Sequence, residues 1–82
     1  MQNPAPDEYK VKVEQELSDL LDKITNLTKF IYGKGVLESN LSTKMRVLLG
    51  IQLSEMTAYA RTLQERLRIW GKTDEELSEK AE

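Results

Sequence analysis

The residues best suited to chemistry lie on one stretch near the start of the chain. Tyr9 offers a flat face on which a base can stack. Lys10, Lys12, Lys23 and Lys29 can meet phosphates, and Asn26 and Thr28 add neutral hydrogen-bonding groups. Together they suit a small anionic ligand. Each also has an ordinary reading: a tyrosine can simply fill a helix interface, and a surface lysine is usually just solvated. Catalysis is not expected. The chain has no histidine and no cysteine, so it lacks the usual proton shuttle at neutral pH, the thiolate nucleophile and the common metal ligands. The segment Gly33 to Asn40, GKGVLESN, lacks the spacing and the closing Lys-Ser/Thr of a phosphate loop. No metal or organic cofactor is expected.

These side chains must be positioned by helices. From Leu41 to Trp70, apolar residues recur in steps of three and four: Met45, Leu48, Leu49, Leu53, Met56, Tyr59, Ala60, Leu63, Leu67 and Trp70. Those steps place them on one helical face. Asn40 or Ser42 can cap this helix, and Gly71 can end it in a left-handed turn. About thirty residues make a helix of about 45 Å, so something equally long must lie against it. Gly50, inside the helix, points either to the close approach of another helix or to a tolerated defect. Gln52 interrupts the stripe and belongs either across an interface or at its wet edge.

The partner is a first helix from about Asp7 to Tyr32. Its stripe is Tyr9, Val13, Leu17, Leu20, Ile24, Leu27 and Ile31, close to a heptad pattern. Leu21, Thr28 and Phe30 widen it. The valines between Tyr9 and Val13 predict a kink or a separate short helix there. Gly33 and Gly35 end the helix, and Val36 and Leu37 are expected to tuck under the connection. Thr73 and Glu76 form a capping box for a short terminal helix, with Leu77 as its one sizeable apolar residue.

The organisation expected is a flexible lead at residues 1–6, a helical hairpin domain at residues 7–72 and an acidic tail at residues 73–82. The fold class is all-α: a long antiparallel helical hairpin with a kinked or short N-terminal segment, assembled into a homo-oligomeric bundle. Oligomerisation follows because two helices shield only one side of each other. Leu21, Phe30, Leu53 and Trp70 are the residues expected to be left for a second copy to cover.

The net charge of −2 conceals three blocks. Asp7 to Asp22 holds six acids and two lysines, a net of −4. Lys23 to Lys72 holds nine bases and three acids, a net of +6, and the last ten residues return to −4 with five acids and one lysine. The basic middle can hold an anion, pair with acidic surfaces of other copies, or be a solvated mixed surface. Arg61, Arg66 and Arg68 lie close together late in helix two, but Glu65 sits among them, and binding to long nucleic acid is not expected. No apolar run is long enough to span a bilayer, and no signal-peptide core is present, so the expected location is the cytoplasm.

Over Tyr9 to Trp70 the chain resembles a known family. Tyr9, Lys12-Val13, Glu16, Leu20, Lys23-Ile24, Leu27 and Phe30-Ile31 are similar to the first helix of the small phage sponge proteins that counter CBASS, the cyclic-oligonucleotide-based anti-phage signalling systems. Leu48-Leu49, Gln52, Met56, Tyr59, Leu63 and Arg66-Leu67 resemble that family's closing pattern. The resemblance implies a helical homohexamer that sequesters cyclic nucleotides in the infected host cell without degrading them. It implies that cyclic dinucleotides sit between protomers, on a stacking aromatic matched by Tyr9 and a phosphate lysine matched by Lys23. A second alignment puts Asn26 at the lysine position, with Thr28 beside it. It also implies a pocket for cyclic trinucleotides that uses a late arginine, matched by Arg66. The tail from Thr73 onward lies beyond the resemblance. Two other functions fit the residues: a bundle that docks a protein partner, and a helical-hairpin dimer that binds nucleic acid.

Overall fold

The computed structural model describes residues 6–80. It contains α1 (Pro6–Tyr32), α2 (Lys34–Glu38), α3 (Thr43–Arg68) and α4 (Asp74–Lys80), with no strand among the described residues. α1 packs along α3, and the short α2 connection makes the pair antiparallel. Apart from Pro6, the expected flexible lead lies outside the described residues. Pro6 itself opens α1, where its fixed φ and missing N–H suit a first helical turn.

The helix ends follow their local chemistry. The Ser42 side chain accepts a hydrogen bond from the Met45 N–H at 3.1 Å, so Ser42, not Asn40, caps α3. Asn40 instead adopts a left-handed φ of 54°, which its short polar side chain tolerates. At the other end Gly71 takes φ 75°. A residue with a Cβ would be strained there.

Three expectations about the first half of the chain are corrected. α1 continues through Tyr9–Val13 as one helix, because two valines lower helix propensity too little to break a helix packed along its length. The segment after Gly33 is not a plain turn, since Lys34–Glu38 forms the short helix α2. Gly33 separates α1 from α2: a Cβ on it would collide with the Lys29 carbonyl oxygen. Leu37 does not tuck under the connection and is 71% exposed; Val36 is half-buried.

The core is thin. Val13, Leu20, Ala60 and Leu63 are the buried residues, with Leu17, Ile24, Met56, Leu67 and Trp70 packed against them. Among the described residues Leu63 alone is wholly buried. Of the residues expected to remain uncovered, Leu21 is exposed, whereas Phe30, Leu53 and Trp70 are half-buried. The larger exposed apolar surface lies in the first half of α3, on Val47, Leu48 and Ile51. At 3.6 residues per turn these three project roughly opposite the face carrying Met56, Ala60 and Leu63. α3 therefore has two apolar faces in its first half and one in its second, where Ser54, Glu55, Ala58 and Thr62 continue the outer side. A Cβ added at Gly50 would meet nothing within 4 Å, so no helix of the same chain explains that glycine. Gln52 is exposed, at the wet edge of the stripe.

The thin core makes Leu63 the most sensitive position. Leu63→Ala is expected to destabilise the protein by about 2–5 kcal/mol. Leu37→Ala is expected to stay within about 0.5 kcal/mol. Urea denaturation followed by far-ultraviolet circular dichroism measures both.

Candidate ligand-binding groove

α1 and α3 leave an open groove of about 410 Å³ along one flank of their contact. That volume lies toward the lower end of the range for small-molecule sites. α1 supplies Lys12, Gln15, Glu16, Asp19, Leu20 and Lys23, and α3 supplies Tyr59. The steps of four, three and four between Lys12, Glu16, Asp19 and Lys23 keep these side chains on one helix face. Leu20 is buried at the base, and Tyr59, 44% exposed, forms the wall across from α1.

The charges of the groove are mostly uncommitted. Among the described residues, Lys12, Lys23 and Glu16 make no ion pair and no side-chain hydrogen bond. Lys12 and Glu16 stand one turn apart without joining. Gln15 Nε2 donates to Asp19 Oδ1 at 3.0 Å, which fixes that carboxylate and leaves its second oxygen available.

Of the residues selected from sequence, Lys12 and Lys23 line the groove, whereas Lys10 and Lys29 do not. Tyr9, 45% exposed, lies outside the lining. Helical spacing puts it on the flank shared by Lys12, Glu16 and Lys23, one turn before Lys12. Arg66 also lies outside. It is exposed two turns beyond Tyr59 on the same flank of α3, toward the open end of the hairpin. Asn26 is exposed one turn after Lys23. Thr28 is half-buried and its spacing places it on the opposite flank of α1, so the fold does not unite it with Lys23. The aromatic beside the lysines is Tyr59. In the sequence it reads as one more member of the α3 stripe, and only packing shows that it sits at the stripe's edge.

The arginines late in α3 differ in availability. Arg68 forms an ion pair and hydrogen bonds with Glu65 one turn before it, whereas Arg66 has no such partner among the described residues. The hydrogen bond from Arg68, assisted by its charge, holds the Glu65 carboxyl below the usual carboxylate range, and Arg68 is raised in turn. Among the described residues, no group of three or more His, Cys, Asp or Glu could hold a metal ion. No helix among them is long and apolar enough to cross a membrane.

Fold and groove together define a small all-helical hairpin with a ligand-sized cleft lined by lysines, carboxylates and a tyrosine. The chain matches the family described as Sequestin over residues 7–69 and belongs to that family. The match covers α1, α2 and α3 and ends before α4. No curated protein and no solved structure matches the chain.

The Glu65–Arg68 pair gives a pH prediction. A lowered carboxyl pKa contributes stability that is present above the carboxyl's unfolded value and lost as pH falls through the folded one. The pair is fully exposed, so the contribution is small. Thermal melts of Glu65→Gln are expected to lie close to the parent at neutral pH, and any gap is expected to close as the solution is acidified.

Proposed function

We propose that this protein binds and sequesters the cyclic di- and trinucleotide messengers of bacterial CBASS defence without degrading them. It acts for a phage, in the cytoplasm of the infected host cell. The family name suggests a sequestering role. The observation that carries the reading is the joint placement of Lys12, Lys23 and Tyr59 in one groove: two unpaired cations beside an exposed aromatic suit a nucleotide's phosphates and base. The resemblance to the phage sponge proteins supplies the identity of the ligand.

The groove belongs to one hairpin, and we place the complete pocket at the contact between copies. The outer apolar face of Val47, Leu48 and Ile51 supports self-association, because an exposed apolar cluster on so small a chain favours burial against an identical one. A homohexamer is the assembly the resemblance implies. Tyr9 and Arg66 lie on the groove's flank beyond its lining, and we assign them to the same pocket.

Calorimetry is expected to show binding of cyclic di- and trinucleotides, and heat denaturation of the complex is expected to release them intact by mass spectrometry. Linear products would replace this reading with an enzymatic one. Lys23→Ala is expected to weaken dinucleotide binding about tenfold, since a hydrogen bond to a charged group is lost. Failure to bind any cyclic nucleotide, with a host protein co-purifying, would favour a docking module instead. Native mass spectrometry is expected to give a multiple of the 9.4 kDa chain, six copies for a hexamer. Ile51→Lys is expected to shift the protein to smaller species; a folded parent monomer at micromolar concentration would overturn the assembly.

A further inference from the structure

The groove is electrically balanced. Its two lysines, Lys12 and Lys23, are matched by two carboxylates, Glu16 and Asp19. A cleft shaped for phosphate alone gains nothing from the carboxylates, which repel the anion. Along α1 the order is lysine, carboxylate, carboxylate, lysine, a row about 16 Å long. Its ends attract anions, and its middle, when ionised, accepts hydrogen bonds and donates none. The middle therefore suits a part of the ligand that offers donors, and Tyr59 across the groove suits a flat ring.

Nucleobases differ in what they present to a carboxylate. Guanine carries two adjacent donors on one edge, the N1–H and the 2-amino group, which match the two oxygens of a single carboxylate. Adenine and cytosine set an amino donor beside a ring nitrogen that accepts. Uracil sets one N–H between two carbonyls. A carboxylate thus makes a paired, charge-assisted contact with guanine and meets an acceptor on each of the others.

We infer that this groove selects a guanine-bearing nucleotide unit. The guanine stacks on Tyr59, its N1–H and 2-amino group donate to the two oxygens of one carboxylate, Glu16 or Asp19, and Lys12 or Lys23 holds the neighbouring phosphate. The inference rests on the sequestering reading and specifies the base preference at the same site.

The test is calorimetry on the full chain with cyclic di-GMP, cyclic GMP–AMP and cyclic di-AMP. The two guanine-bearing ligands are expected to bind at least about tenfold tighter than cyclic di-AMP. In Glu16→Gln/Asp19→Asn that preference is expected to vanish, with cyclic di-AMP binding unchanged or tighter. Both positions are exposed, and circular dichroism checks that the double variant stays helical. Equal affinity for the three ligands in the parent would overturn the guanine assignment and leave sequestration standing. So would a double variant that binds all three more tightly by the same factor, because the carboxylates would then act only by repulsion. Failure of all three ligands to bind the parent would remove this inference, and failure of cyclic trinucleotides as well would remove the sequestering reading.

Discussion

Everything in this molecule follows from how little two helices can hide. Each cylinder shields one side of the other, and the contact between α1 and α3 buries Val13, Leu20, Ala60 and Leu63. With so small a core, the edges of the contact stay open, and residues at those edges keep one side against the partner helix and one side free. Tyr59 is such a residue. So are the lysines and carboxylates of α1's charged row, which runs along the flank without sinking into the core. A thicker bundle would have buried the tyrosine and forced the lysines and carboxylates to pair. The hairpin's thinness is what leaves a groove with uncommitted charges.

The same constraint shapes the outer side of α3. An amphipathic helix in a small domain usually carries one apolar stripe. The first half of α3 carries two, one against α1 and one formed by Val47, Leu48 and Ile51. The second half, which holds Tyr59, Arg61, Arg66 and Arg68, presents polar residues outward. α3 is thus divided lengthwise: its first half has apolar surface to spare and its second half carries the side chains suited to a ligand.

Much of the fold was legible because local rules governed it. The spacing of apolar residues defined both long helices, Ser42 caps α3, Gly71 takes its left-handed φ two residues beyond the α3 cap Ile69 and not directly at the helix end, and Thr73 and Glu76 form the reciprocal cap: the Thr73 N–H donates to Glu76 Oε1 at 2.9 Å and the Glu76 N–H to Thr73 Oγ1 at 3.2 Å. The departures came where packing or weak propensities decide. Two glycines suggested a turn, but Lys34–Glu38 closes one more helical turn. Periodicity identifies a stripe without telling its centre from its margin, so Tyr59 gave no sign that it stands exposed beside Lys23. Of the candidate groove's lining, Lys12 and Lys23 were legible in the sequence. Its carboxylates were visible as residues, but only the absence of ion pairs among them makes them available to a ligand.

The reciprocal cap has a further meaning. α4 begins after a left-handed glycine, and its first turn is satisfied from within by Thr73 and Glu76. Seven residues held on such terms owe little to the hairpin, and so short a helix is marginal in isolation. The family match stops at residue 69, just before this junction. Such an appendix can be lengthened, shortened or replaced in the course of descent at almost no cost to the rest of the molecule. Its sequence is therefore under little constraint from the packing of α1 against α3.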